Sequence, residues 1–573
     1  MRTSVIEGPV FAARAIAGLH VVTLAWDFVG GQQQAASKAL LGFAIERTEL
    51  RKGKPVERYW LRGIKRFKAK DEGLPPGTPV PTSEHPVQSF QWGDYTPAPG
   101  THYRYRIVPA YGAPKLMELR EASAVTVDVT TEREEGKETK TGRPRHDIYF
   151  NRGAAGSQAY ARKFPDLKPD ENAPESDQMV WLSRGLFEGL TGFVNRAIGP
   201  DWALRAMLYE FHYAPVGEAF KAAIKAGADV DIRYEAQSYK TVNEAMIQHT
   251  GIGENCQPQD VRAGIRHNKF IVLIHNNVPI AVWTGSTNIS AGGIFGHSNL
   301  GHAVWDRQIA QRYLDYWTAL ASPTVKPTEL LKRNVTAEAT PALGEAPPAD
   351  RMLTLFSLRD LKEDRRTLKW YADLLKSANH IVCMTFAFDL DPVFTTALDG
   401  EQDSVNYFVF DKALSVGEED AVKRNKNTVI AVGAKLEKGD VVNFLSERLT
   451  GFNRNNYIHD KFILIDPLDD DPIVVTGTAN FSGASQTAND ENMLVIRGNT
   501  RVADIYFGEF MRIFDHLYAR YVVRKIRAAE QQSPNTAPKD PNAGYLKETA
   551  TDWLPSQLRP GPKALRRRYF MGR

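Results

Sequence analysis

The chain has 573 residues, 42% of them hydrophobic and 24% charged, and a formal net charge of +4. That length exceeds what one core organises, so two to four domains are expected, and the charge is too small to mark a nucleic-acid binder by itself, although it leaves room for a local basic groove. Two cysteines, Cys256 and Cys383, exclude a disulfide framework, and no apolar run approaches the roughly 18 residues needed to span a bilayer.

In chain order, residues 1–132 read as short alternating strands separated by turn residues. The clearest are His20–Phe28, Leu40–Leu50, Pro99–Gly112 and Ala122–Thr130, with a long loop, KGKPVERYWLRGIKRFKAKDEGLPPG, between the second and third. With Trp26 in an early strand and Pro99-Gly100-Thr101-x-Tyr103 placed like a tyrosine corner, this region resembles a fibronectin type III sandwich. The resemblance implies a spacer or a docking module for a protein partner, without chemistry of its own.

A polar linker, 133–145, follows. From 146 the pattern changes to alternating helices and strands, the grammar of an α/β domain. MVWLSRGLFEGLTGFVNRAIG has helical apolar spacing, WALRAMLYEFHY reads as a buried strand, and VGEAFKAAIKAGADVDIRYE reads as helix, glycine stop and strand. A Pro/Ala/Thr-rich linker, 322–350, separates this half (146–321) from a second of the same kind (351–528), where TLKWYADLLKSANHIVCMTFAF is again helix then strand. The tail, 529–573, begins as coil and ends in the basic RRRYF run, expected to be solvated. The predicted fold is therefore multidomain: an N-terminal β-sandwich followed by two pseudo-symmetric α/β halves.

The chemistry lies in a repeat. Aligned without gaps, 267–299 and 459–491 agree at nine of 33 positions, where about two would be fortuitous. From each histidine, His267 or His459, a lysine lies two residues on (Lys269, Lys461), an asparagine 21 on (Asn288, Asn480) and a serine 23 on (Ser290, Ser482). Of thirteen histidines only these two are followed by x-Lys. On a strand, residues two apart share a face, so each His-Lys pair projects together while Phe270 and Val272, or Phe462 and Leu464, pack the other way. The next apolar run in each half would return the asparagine to the same point, so two packed halves would gather two imidazoles, two ammoniums and two amides.

That set suits a phosphodiester. One imidazole can attack phosphorus and form a phosphohistidine, and the other can protonate the leaving oxygen and then activate water. Lys269, Lys461, Asn288 and Asn480 would hold the nonbridging oxygens, with the serines and Arg266 as further substrate contacts, and Arg262 and Arg454 could neutralise phosphates. The spacing offers no dedicated metal site and no cofactor is implied. Position 32 after each histidine is Asn299 in one half and Glu491 in the other, so the two rings should differ. His212, His275, His297 and His302 are expected to be packed structural histidines.

These motifs, above all HDKFILID with GTANFS and NDEN, resemble the phospholipase D superfamily over about 146–530. The resemblance implies that Glu491 reaches across to support His267 as nucleophile, and that Asn299, near the substrate, orients His459 as general acid/base. The family's aspartate five residues after the lysine is present as Asp466 but replaced by Ile274 in the first half. The expected substrate is a phospholipid, giving phosphatidic acid. The alternatives are a nucleic-acid backbone cut at the same site and, from another class, a decayed binding protein. One chain holds both motifs, so a monomer is expected. Glu7 and Arg14 break any signal-like start, so a cytoplasmic protein, or one exported without a cleaved signal, is expected.

Overall fold

The computed structural model describes residues 1–573 apart from 76, 138–143, 166, 260–263, 323, 388–389, 400–401, 434–457 and 533–543. Arg262 and Arg454 lie outside the described residues.

The first 130 residues build two main antiparallel sheets and a two-stranded one, Arg62–Gly63 with Val80–Pro81. One orders Ile6–Glu7, Phe11–Ala17, Val22–Phe28 and Gln91–Asp94; the other orders Leu116–Leu119, His102–Ala113, Leu40–Arg51 and Lys54–Trp60, with Val125–Thr130 also pairing His102–Ala113. Their inner residues, among them Phe11, Trp26, Phe43, Tyr105 and Val127, form one apolar core. Tyr103 Oη accepts from Ala98 N at 2.9 Å, tying the turn before its strand. The expected long loop differs: Lys54–Trp60 within it is an edge strand. Its residues are exposed or half-buried on both faces, so no apolar alternation marks it, and its charges suit an unpaired edge.

Two seven-stranded mixed sheets follow, with the same order. The first runs Arg145–Phe150, Leu300–Trp305, Val278–Gly285, Lys269–His275, Trp202–Leu208, Asp229–Tyr234 and Cys256–Pro258. The second runs Leu353–Phe356, Asn492–Arg497, Ile473–Gly477, Phe462–Ile465, Ile381–Phe386, Val405–Phe410 and Thr428–Val432. Alternation sorts their side chains. Phe270, Val272 and Val282 share a single core with Phe462, Leu464 and Val474, whereas Ile271, Leu273 and Trp283 face the first half's helices and Ile463, Ile465 and Val475 the second half's. The two sheets thus pack through equivalent faces.

The helix Thr500–Gln532 adds Phe507, Phe510 and Phe514 to that shared core. The expected linker 322–350 contains the helix Pro327–Ala337, held by Leu330 and by Asn334 Nδ2 donating to Leu358 O at 3.0 Å. The tail also departs from its expectation. Its helices Ala550–Leu558 and Pro562–Phe570 are docked, with Trp553 in the N-terminal core and Tyr569, Phe570 and Met571 in the shared core. Of the RRRYF arginines only Arg568 is exposed; the Arg567 guanidinium turns inward, over the Phe90 ring at 5.2 Å and 3.5 Å from Asp27, and composition alone hides this docked face. Trp553→Ala should lower unfolding stability by about 3–5 kcal/mol. A urea titration showing less than about 1 kcal/mol would mean that the tail is not held by this packing.

Candidate active site

In both halves the strand starts at or after the motif lysine, at Lys269 and at Phe462, so each histidine precedes the strand on which it was expected. Its backbone is used by the opposite half. His267 N donates to Asp490 O and His459 N to Ser298 O, each at 3.1 Å. This reciprocal bridging sets Asp490-Glu491 beside the first motif and Ser298-Asn299 beside the second.

The side chains repeat the exchange. His267 Nδ1 lies 2.8 Å from Glu491 Oε2. His459 Nδ1 lies 2.9 Å from Asn299 Oδ1 and 3.1 Å from Ser286 O. With Nδ1 of each ring engaged, Nε2 is the atom left to meet a ligand. Lys269 Nζ and Lys461 Nζ each donate to the carbonyl of their own motif histidine at 2.7 Å. The histidines keep only 6% and 7% of their surface.

Burial sets the electrostatics. It lowers His267 to about 4 against the pull of Glu491, and Lys269 to about 7 against Glu491 and Glu210. His459 and Lys461 fall well below their usual values by burial, and the two lysines add to the effect at His459. A negative charge placed beside these groups would favour their charged forms.

The remaining expected contacts are mixed. Asn288 gives one N–H to Glu210 Oε1 at 2.5 Å and keeps a second, while Oδ1 of Asn288 and of Asn480 is buried without a protein partner. Ser290 Oγ accepts from Gly293 N and Ser482 Oγ from Ser485 N, so both hydroxyls cap the turns after the asparagines. Arg266 is 2% exposed, with its guanidinium bonded to Asp490 Oδ2 and Gly264 O, both at 2.9 Å. Its guanidinium braces the crossing between halves. Asp466 accepts from the backbone N–H of Asn379, His380 and Ile381 at 2.7–2.9 Å, whereas Ile274 packs in the shared core. The substitution therefore concerns how a turn is fixed, away from the imidazoles. His380, Asp466 and Asp469 bring possible metal-ligand atoms within 4.8 Å of one another at the far end of that strand, a grouping invisible in sequence.

Of the histidines expected to be structural, His275 stacks on Trp202 at 4.1 Å, and His302 sits with Nε2 2.9 Å from His146 Nδ1 and Nδ1 3.0 Å from Tyr506 Oη. His212 stacks on Tyr239 at 6.0 Å. Sequence reasoning missed Tyr209, whose ring meets His267 edge-on at 4.8 Å and underlies Lys269 Nζ at 4.8 Å, and Glu210. Both follow the strand Trp202–Leu208, where Leu208 pairs Lys269. Position after a strand was the available signal, but the neighbouring strand was not readable.

Asp460, between His459 and Lys461, is wholly buried with both oxygens unpartnered, and burial raises it to about 7 against Arg512 and Lys461. Its counterpart Asn268 accepts from Asn492 Nδ2 at 2.8 Å. A carboxyl raised on folding stabilises the fold fully below its unfolded value near 4 and loses that contribution as pH rises through about 7. Asp460→Asn should therefore gain stability over the natural protein increasingly from pH 4 to pH 8. A difference in melting temperature that does not change with pH would refute this titration.

Fold and site define a two-half α/β protein with a duplicated His-x-Lys centre shared between its halves. A family profile described as cardiolipin synthase, PLD-like domain, matches residues 417–517, the stretch that carries the second motif. No curated protein matches. Among solved structures, phosphatidylserine synthase from Haemophilus influenzae is 11% identical at TM-score 0.39, covering 61% of this chain and 92% of that one. The phospholipase D family member Nuc from Salmonella typhimurium is 23% identical at TM-score 0.20, covering 23% and 85%. Polyphosphate kinase from Porphyromonas gingivalis is 10% identical at TM-score 0.34, covering 54% of this chain and 43%, less than half, of its own. No helix of the described residues is long and apolar enough to cross a membrane.

Proposed function

We propose that this protein is a phosphodiesterase of the phospholipase D type, working in two steps without metal. The observation that carries the reading is the exchange across the halves: the carboxylate of Glu491 on His267 Nδ1 and the amide of Asn299 on His459 Nδ1. A carboxylate favours a ring that gains positive charge on attack, so His267 is the nucleophile. An amide orients without adding charge, so His459 gives its proton to the leaving oxygen and takes one from water. Lys269, Lys461 and the N–H groups of Asn288 and Asn480 offset the charge on the nonbridging oxygens.

The substrate proposed is a phospholipid, in line with the cardiolipin synthase description of the matching profile. The N-terminal unit is proposed as a fibronectin type III-like docking module, and the two sheets as pseudo-symmetric halves. The test is turnover with EDTA present, offering phosphatidylcholine or phosphatidylglycerol vesicles beside single- and double-stranded DNA and RNA. Release of phosphatidic acid supports the reading. Cleavage of nucleic acid alone keeps the mechanism and replaces the substrate. No turnover with or without added metal favours a binding protein.

A further inference from the structure

Around His459 the structure places a third imidazole that the chemistry above does not use. His297 precedes Asn299 by two residues and has extended backbone (φ −79°, ψ 151°), so the two side chains share a face. Asn299 touches His459, and the His297 ring centroid lies 6.0 Å from that of His459, tilted by 54°. The backbone here is firmly set. His297 N donates to Gly292 O at 2.8 Å across the π-helical turn Gly292–Gly296, and Asn151 Nδ2 donates to His297 O at 2.7 Å. Turns of this kind recur at functional sites. The ring is half-buried, more open than that of His459. Burial, with Lys461 adding, lowers it to about 4, so at neutral pH it is an uncharged imidazole that both donates and accepts hydrogen bonds.

The other half has no such group. The residue 30 after His267 is His297 and the residue 30 after His459 is Asn489. Asn489 is used internally, accepting from Ile265 N at 3.1 Å and approaching Glu491 at 3.4 Å. The third imidazole therefore stands only on the side assigned to proton transfer.

We propose that His297 contacts substrate and holds the exchanging oxygen beside His459, first that of the leaving group and then that of water. The inference rests on the function proposed above. In the first step the bond from His267 Nε2 to phosphorus forms, the bond from phosphorus to the leaving oxygen breaks, and the proton of His459 passes to that oxygen. In the second, water gives a proton to His459, its oxygen bonds to phosphorus and the phosphorus–nitrogen bond breaks. His297 neither gains nor loses a proton overall; it keeps the oxygen in line. Such a group matters most when the leaving oxygen needs a proton, as an alkoxide does, and least for p-nitrophenoxide, which departs unprotonated.

The test compares the natural protein, His297→Asn and His297→Ala on bis(p-nitrophenyl) phosphate and on the alkyl-leaving phospholipid or dinucleotide that the turnover panel identifies, with melting temperature as the folding control. The expected result is a loss of about 100-fold in kcat/KM on the alkyl ester and only a few-fold on the p-nitrophenyl ester. In the His459→Asn background the alkyl-ester loss should shrink, because the two residues act on one oxygen. Equal losses on both esters, or no loss, overturn the inference and leave the proposed function standing. If both variants fail to fold, His297 is a packing residue and the inference falls. A natural protein inert on every ester removes the proposed function and this inference together.

Discussion

Replacing His267 by asparagine is expected to abolish the proposed turnover, by about 10⁴-fold or more, because an amide cannot form the phosphorus–nitrogen bond. The His459→Asn variant behaves differently. It retains the proposed nucleophile with Glu491 at 2.8 Å, so attack should proceed slowly and, lacking a group to activate water, the phosphoenzyme should outlive the first step. With a substrate labelled at phosphorus, His459→Asn should hold acid-labile label and His267→Asn should hold none. The roles are assigned by this asymmetry and not by loss of activity, which both variants share. Label held by His267→Asn instead would reverse the assignment, and equal label in both would abandon a covalent route through either ring.

The second large effect concerns stability. Glu509, on the helix Thr500–Gln532, is completely buried and accepts from Arg184 at 2.6 and 3.0 Å and from Arg512 Nε at 2.8 Å. Arg512 also donates to Asn151 O and Arg152 O, so the cluster joins the long helix to the first half. Burial pushes the Glu509 carboxyl up, but the two guanidiniums more than offset it and hold it below its usual value. Its contribution is present above the unfolded value near 4.5 and is lost as pH falls through the lower folded value. Glu509→Ala strands two buried guanidiniums and should cost about 3–5 kcal/mol at neutral pH, measured by urea unfolding. Replacing all three residues with apolar ones of similar volume should recover most of that loss. A single-variant cost under about 1 kcal/mol would show that water or rearrangement relieves the charges.

Much of this architecture was legible because it is local. Strands such as Lys269–His275, Val278–Gly285 and Ile473–Gly477 follow from short continuous apolar runs, and the helix Ala214–Lys225 from its spacing and glycine stop. The duplicated motif was visible because equal offsets in two halves require no knowledge of packing. The edge strand Lys54–Trp60 was not, since neither face is buried and no alternation is written into it. The docked tail was misread because RRRYF is judged by its charges until a partner surface is known for Tyr569 and Phe570.

For the site, the sequence alone determined which groups are available: two imidazoles, two lysines and two asparagines at matched offsets, with unlike residues 32 positions on. Tertiary structure decided their use. His267 and Glu491 are 224 positions apart, and His459 and Asn299 160 apart, so only the packing of one sheet on the other makes them neighbours. The same packing removes water from the lysines and lowers their basicity, turns Arg266 inward, and brings His297 beside His459. Local spacing sets which face a side chain leaves by; what it meets there, and how much water remains, belongs to the assembled chain.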